Sequence, residues 1–128
     1  MDQNLKIPNH LLKHLGALFF SIAKADRSLA FDEYVKFSEL LDKNWKHITD
    51  IKIDVIKKQF NNLQKQEVSA KDSYNQFIRY YKKHPEEFSG ELKMLILKTF
   101  DGIAYAYSKF NKAELYYLTK LRLEFERA

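Results

Sequence analysis

An internal repeat constrains this chain more than any other feature of its sequence. The stretch from Ile22 to Glu33 recurs in degenerate form from Ile103 to Glu114, and every residue of the second copy lies 81 positions after its counterpart. The same offset pairs three further apolar positions: Leu11 with Leu92, Phe19 with Phe100, and Leu40 with Leu121. Each copy runs from an apolar helix through a turn into a second helix, so the repeat predicts two helical hairpins that pack together.

The composition indicates a helical fold. The 128 residues include three glycines, two prolines and no cysteine. So few turn-forming residues argue against a many-turned β fold, and the long stretches without helix breakers predict an all-α domain of about six helices. The lack of cysteine excludes disulfides, thiolate metal ligands and cysteine nucleophiles. It also fits a reducing cytoplasm, where we expect the protein to reside.

The spacing of apolar residues arranges the predicted helices in one domain over residues 1–128. Helical periodicity predicts the hairpins over about 8–44 and 89–127, with an amphipathic pair of connecting helices over about 49–84. The first helix, from near Pro8 to about Ala25, is apolar on several sides, so we expect it to lie centrally. Polar residues interrupt it, and it falls short of the about 20 apolar residues that a membrane span requires.

Polar residues before the predicted helices suit the N-cap position, where a side-chain oxygen accepts a bond from a free backbone N–H. Four places have this character: Thr49 or Asp50 before the third helix, Ser69 with Asp72 at the fourth, Ser89 before the fifth, and Asn111 with Glu114 at the sixth. Small residues also recur on the first and fifth helices, at Ser21 and Gly102 among others. Because small residues let two backbones approach closely, we expect these helices to cross near Ser21 and Gly102.

The residues of the first turn resemble those of a known family. The apolar helix ends in Ile22-Ala23-Lys24-Ala25-Asp26, Leu29 follows three positions later, and Glu33 lies seven positions after Asp26. This pattern is similar to the signature of the tellurite-resistance TerB-like helical domain, a group that includes the N-terminal domain of the DnaJ-like protein DjlA. The resemblance extends over most of the chain through the duplicated hairpins, and it implies an all-α fold with pseudo-twofold related halves.

The resemblance also implies a candidate metal site. Acidic positions of the family are linked to divalent-metal binding, and they correspond here to Asp26, Glu33 and, in the second copy, Glu114. Two positions depart from the family pattern: Arg27 replaces a glycine and Tyr107 replaces an aspartate. A hard cation, which needs about six or more oxygen ligands, would lose one charge and gain a positive neighbour. The alternative is that Asp26 and Glu33 cap helix ends and pair with Arg27.

Other catalytic or ligand-binding patterns are weak. His10 and His14 have the i, i+4 spacing of a zinc-binding pair, but no third ligand stands out, and such histidines are commonly solvated. The segment His84-Pro85-Glu86 is superficially similar to the His-Pro-Asp loop of J domains, although the helix before it lacks the J-domain pattern. The chain has no glycine-rich phosphate loop and no nucleophile with an evident partner base. We therefore do not expect an enzyme.

Positive charge is concentrated in the middle of the chain. Residues 44–84 carry nine Lys or Arg and four acidic residues, whereas the rest of the chain has thirteen of each. Six of these cations make up a candidate face for an anionic partner: Lys57, Lys58, Lys65, Arg79, Lys82 and Lys83. Such a face would suit RNA, single-stranded DNA or an acidic protein. The alternative is a solvated surface whose lysines keep the domain soluble.

These observations lead to one favoured function and two alternatives. We expect a non-enzymatic TerB-like binding or scaffolding module in a bacterial stress response of the tellurite-resistance type, or in an envelope-associated one. Its partner is expected to be another protein, and no cofactor is required. The alternatives are a nucleic-acid-binding accessory protein that uses the basic middle segment, and a divalent-metal-binding domain.

Overall fold

The computed structural model describes residues 7–25, 31–45, 48, 52–108 and 112–127, and this part of the chain contains helices without any strand. Six α-helices follow one another: α1 (Asn9–Lys24), α2 (Phe31–Trp45), α3 (Ile53–Lys65), α4 (Ala70–Lys83), α5 (Gly90–Ser108) and α6 (Lys112–Glu126). A single 3-10 turn, Pro85–Glu87, separates α4 from α5. The predicted all-α fold with about six helices is confirmed.

The first helix is the centre of the molecule. Its residues from Leu15 to Ala23 are buried without interruption, and α3, α4 and α5 all pack against it. Burial on several sides follows from its apolar composition, so its predicted central position is confirmed. At Gly16 the chain of α3 comes so close that an added Cβ would lie 2.7 Å from the backbone oxygen of Ile56. Glycine is therefore required at the α1–α3 contact.

The predicted crossing of α1 and α5 at Ser21 and Gly102 is wrong in its detail. The two helices do contact each other, but the three atoms nearest to an added Cβ at Gly102 all belong to Leu40 of α2. Ser21 is buried and its hydroxyl donates to the backbone oxygen of Leu18 in its own helix, at 2.6 Å. Small residues marked a close approach correctly, but the sequence could not identify the neighbouring helix.

Aromatic side chains join α2 to the helices around it. Phe37 stacks on Phe60 of α3 with ring centroids 4.0 Å apart, and Phe19 of α1 lies edge-on to Trp45 at 6.2 Å. The indole N–H of Trp45 donates to the hydroxyl of Thr99 on α5 at 2.9 Å. Because a buried N–H needs an acceptor, this bond fixes the end of α2 against α5.

Helix caps were predicted with mixed success. The Ser69 hydroxyl accepts from the backbone N–H of Asp72, and the Ser89 hydroxyl accepts from that of Leu92, which confirms both caps. The predicted cap of the third helix is wrong, because α3 begins at Ile53 and its N-cap, Lys52, makes no side-chain capping bond. The proposed capping box of α6 lies outside the described residues.

The last helix contributes to the core along one face. Leu118, Leu121 and Phe125 of α6 are buried, whereas Leu115 is 46% exposed. Buried residues from all six helices nevertheless form one hydrophobic cluster. Since α3 and α4 cover α1 and leave part of α5 and α6 open, the two halves of the repeat present different surfaces.

Candidate functional site

The metal site that the resemblance implies involves three acidic residues whose side chains the structure does not describe. Asp26 lies outside the described residues, and for Glu33 in α2 and Glu114 in α6 only the helical backbone is described. A divalent-cation site at Asp26, Glu33 and Glu114 therefore stays a prediction.

The six predicted cations are divided between α3 and α4, each of which packs along α1. On α3, the ammonium group of Lys57 pairs with the Asp42 carboxylate of α2 at 2.9 Å, and Lys58 lines a small depression; Lys65 belongs to the same helix. The α4 residues Arg79, Lys82 and Lys83 instead line one groove together. This second group offers charge to a ligand, whereas Lys57 already neutralises a carboxylate.

The groove containing these α4 cations, which we call the α1–α4 groove, lies between the start of α1 and the end of α4. Its volume is about 770 Å³. The residues that line it come from α1, α4 and the 3-10 turn with the residues next to them: Pro8, His10, His14, Gln76, Arg79, Tyr80, Lys82, Lys83, His84 and Glu87. Pro85 ends α4 and starts the 3-10 turn, which brings Glu87 back towards the helix it follows. Three imidazoles and three permanent cations thus share one depression.

Tyr80 lines the groove and contacts several of its other residues. The His14 ring stacks on it with centroids 4.3 Å apart and planes inclined by 18°, and the His84 ring lies 4.6 Å away at 40°. The Tyr80 hydroxyl donates a hydrogen bond to Oε1 of Glu87. Contacts with three residues from two separate parts of the chain hold this ring in place, so the groove has a preformed aromatic wall.

The charge state of Tyr80 follows from its surroundings. Burial raises the pKa of its phenol, and so do the hydrogen bond to Glu87 and the negative charges of Glu87 and Glu86. Tyr80 therefore remains a neutral hydrogen-bond donor at physiological pH. It is suited to positioning a carboxylate and unsuited to acting as a base or nucleophile.

The predicted zinc pair of His10 and His14 has a different arrangement. Nδ1 of His14 lies 2.7 Å from the backbone oxygen of His10. Because a carbonyl oxygen only accepts, Nδ1 carries the proton and the ring is oriented by the backbone of its own helix. The pair is thus part of the groove wall, and no third ligand joins it in the described part of the chain.

A different set of potential ligands does come together. The side chains of His84, Glu86 and Glu87 each place one ligand atom within 4.8 Å of the other two. The sequence contained a signal for this set in the His-Pro-Glu-Glu segment, because a proline that ends a helix can turn the following side chains back. In the sequence this segment showed only a superficial likeness to the J-domain loop, and the cluster was not predicted.

The groove is chemically equipped to bind an anion. Its described lining residues include no serine, threonine or cysteine, and its one described acidic lining residue, Glu87, is engaged by Tyr80. Guanidinium, ammonium and imidazole groups all donate hydrogen bonds to carboxylate or phosphate oxygens. None of the helices in the described residues is long and apolar enough to cross a membrane.

Comparison with known protein families identifies a family for this chain. A family model described as "Tellurite resistance protein TerB" matches residues 13–126. No curated protein and no solved structure matches the chain. The family match spans α1 from its second turn through α6, so it includes both copies of the repeat and most of the α1–α4 groove.

Proposed function

The chain belongs to the TerB family, and from this premise we propose that it is a non-enzymatic binding module that holds an acidic segment of a partner protein in the α1–α4 groove. In the cell, such a module would serve as a scaffold in a bacterial stress response of the tellurite-resistance type or in an envelope-associated one. The proposal includes no catalytic step and no required cofactor.

The gathering of Arg79, Lys82 and Lys83 around one preformed groove is the observation that carries this proposal. Arg79 can bind a carboxylate through two parallel hydrogen bonds, and the lysines add point charges on the same helix. His10 also lines the groove and is exposed, so its imidazole is accessible to a ligand. Because the groove is open, its ligand can be a segment of a longer chain, which is what a scaffold requires.

Nucleic-acid binding, the second candidate, is supported less well. Binding of a phosphate backbone depends on many Lys and Arg residues placed along one continuous surface. Here Lys57 is paired with Asp42, and α3 and α4 each pack against α1, which divides the predicted face into two groups. The groove also contains a carboxylate, Glu87, which would repel phosphates. An acidic peptide can avoid that carboxylate more readily than a regular phosphate backbone can.

A charge-reversal experiment separates the two candidates. Lys82→Glu combined with Lys83→Glu alters the groove, and Lys58→Glu combined with Lys65→Glu makes the same change of charge on α3. All four residues are exposed, so we expect both variants to fold. Binding of a fluorescent polyglutamate peptide and a fluorescent oligothymidylate would be measured by anisotropy at two salt concentrations.

We expect the α4 variant to bind the peptide about tenfold more weakly and the α3 variant to bind it within about twofold of the parent. The oligothymidylate should bind more weakly than the peptide at the higher salt concentration. An equal loss of peptide affinity in the α3 and α4 variants would contradict binding of the peptide in the α1–α4 groove. Tighter binding of the oligothymidylate, with a steep salt dependence, would favour the nucleic-acid alternative.

A further inference from the structure

We propose that His84, Glu86 and Glu87 form a binding site for a divalent transition metal, with Zn²⁺ as the ion that fits it best. The site goes beyond the proposed binding of an acidic segment and does not depend on it. Its residues are also not those of the predicted site at Asp26 and Glu33, which lie much earlier in the sequence.

The positions of the ligand atoms are close to those that zinc requires. Nδ1 of His84 lies 3.8 Å from Oε2 of Glu86 and 3.8 Å from Oε2 of Glu87. Zinc binds nitrogen and carboxylate oxygen at about 2.0–2.2 Å, so two ligands of a tetrahedral site are about 3.4 Å apart. The three ligand atoms all lie within 4.8 Å of one another, and rotation of the exposed Glu86 side chain can bring them to the spacing that zinc requires.

The surroundings of Glu87 orient it towards His84. Its Oε1 accepts the hydrogen bond from Tyr80, while Oε2 is the atom nearer to His84. Tyr80 is itself held by the stacked His14 ring, and it also contacts the ring of His84. Partners that orient a metal ligand in this way strengthen metal binding. Glu86, whose side chain is 70% exposed, is free to complete the set.

The donor set favours a transition metal over calcium or magnesium. One imidazole and two carboxylates provide the ligand number of an open zinc site, in which water takes the remaining position, and the imidazole suits a transition metal better than a hard cation. Calcium needs about six to eight oxygens and magnesium a near-octahedral set, neither of which three side chains provide. The cations Arg79, Lys82 and Lys83 line the same groove and oppose the binding of a metal ion, so we expect weaker binding than at a closed structural zinc site.

The test is calorimetric titration of the tag-free full chain with ZnCl₂ alone. The parent is compared with His84→Ala, Glu86→Gln, Glu87→Gln and Tyr80→Phe, and with two controls, His10→Ala and Glu33→Gln. His10→Ala removes an imidazole from the same groove but retains the backbone oxygen that orients His14. Glu33→Gln alters the other predicted metal site. Glu86 is exposed, so its variant remains informative if a buried change disturbs folding.

We expect one zinc ion per chain, and a loss of affinity of at least about tenfold in each of the His84, Glu86 and Glu87 variants. Tyr80→Phe, which removes only the bond to Glu87, should weaken binding by about tenfold. Both controls should remain within about twofold of the parent. In a long-range nitrogen correlation spectrum, zinc should shift Nδ1 of His84 more than the nitrogens of any other histidine.

Three results would overturn the site. One is the absence of saturable zinc binding at up to about 1 mM ion. Another is an affinity that His84→Ala and Glu86→Gln both leave unchanged. The third is a loss of binding in His10→Ala or Glu33→Gln that equals the loss in the His84 variant, because the ion would then be held by one of the other two sets of residues.

Discussion

The helices α1 and α5 occupy equivalent places in the internal repeat but have different surroundings. Positions that match at the offset of 81 residues are buried in both helices, as Phe19 and Phe100 show, and so are Ile22 and Ile103. Other matched positions differ in character. Ala17 of α1 is buried, whereas its counterpart Lys98 is exposed.

This difference has a simple structural cause. In α1 the faces that would otherwise meet solvent are covered by α3 and α4, whereas α5 packs against α1, α2 and α6 and retains an open face. The repeat therefore encodes a shared set of core contacts, and the connecting helices decide which half carries a groove. The repeat does not predict a second groove like the α1–α4 groove. The cations of that groove belong to α4, which lies between the two copies of the repeat and is part of neither.

The largest effect on stability should come from exchanging residues that occupy matched positions in α1 and α5. Ala17→Lys would place an unpaired ammonium group on a buried face of α1, and we expect it to lower the free energy of unfolding by more than about 4 kcal/mol, or to prevent folding. The reverse change, Lys98→Ala, should leave stability within about 0.5 kcal/mol of the parent, because Lys98 is exposed. Urea denaturation of both variants measures the difference.

Similar stabilities of the two exchanged variants would contradict the account of α1 as the covered helix. A strongly destabilised Lys98→Ala would show that α5 is also covered, for example by a second copy of the chain. A folded and stable Ala17→Lys would show that α3 and α4 do not enclose α1 as described.

Glycine substitutions test the same difference between α1 and α5 at the level of the backbone. In Gly16→Ala the new Cβ would lie 2.7 Å from the Ile56 backbone oxygen and 2.8 Å from Cβ of Gln59, so we expect a loss of about 1–3 kcal/mol. In Gly102→Ala the nearest atom is a methyl carbon of Leu40 at 3.1 Å, which can rotate away. Alanine favours a helix by about 1 kcal/mol over glycine, so this variant should be close to neutral.

Thermal unfolding of the two glycine variants checks this expectation. If Gly102→Ala lost as much stability as Gly16→Ala, Leu40 would be held as rigidly as a backbone atom. The small residues of both helices would then mark equally tight approaches.

A polar contact that α5 has and α1 lacks gives the next prediction. Thr99, whose counterpart in α1 is Leu18, accepts the indole N–H of Trp45 at 2.9 Å. Thr99→Val keeps the shape but leaves that buried N–H without an acceptor, which should cost about 1–3 kcal/mol. Thr99→Ser restores the acceptor and serves as the control. Equal stability of the valine and parent proteins in urea denaturation would mean that another group accepts from Trp45.

The smallest change in stability at neutral pH is expected for a substitution of Tyr74 on α4. Its buried hydroxyl has no hydrogen-bond partner in the described part of the chain, so Tyr74→Phe should change stability by less than about 0.5 kcal/mol, or raise it slightly. Burial, with the negative charge of Glu124 as a second cause, raises the pKa of Tyr74.

The raised pKa gives the substitution a pH dependence. An unfolded tyrosine ionises near pH 10, so the contribution of Tyr74 is fully present below about pH 10 and is lost as the pH rises above that value. Tyr74→Phe should therefore lose less stability than the parent between about pH 10 and 12. Parallel declines of the two proteins in alkaline denaturation curves would contradict the burial of this phenol.

Much of the fold could be predicted from the sequence because it depends on local patterns. Periodicity located all six helices, and the Ser69 and Ser89 caps needed only a side chain and an N–H three residues later. The resemblance carried by Ala25, Asp26 and Glu33 agrees with the TerB family match. Local patterns failed at the third helix, where α3 begins at Ile53 without a side-chain cap.

The candidate site was less predictable because it depends on contacts between distant residues. The sequence identified Arg79, Lys82 and Lys83 as a basic group but could not show that His14 stacks on Tyr80, since the two residues lie on different helices. The sequence also gave no reason to exclude Lys57 from the six candidate cations, because its partner, Asp42, lies on a different helix, α2. Charge counts locate positive charge along the chain, and only the packing of α4 on α1 forms the groove.

The most direct test of the groove is a nitrogen–proton correlation spectrum of the labelled chain during titration with the polyglutamate peptide. If the peptide binds in the groove, the largest shifts will lie at the start of α1 and in residues 79–87, with small shifts on the open face of α5 and α6. Saturable shifts centred on exposed apolar residues of that open face, such as Met94 and Leu123, would contradict this binding, and so would the absence of shifts at the groove.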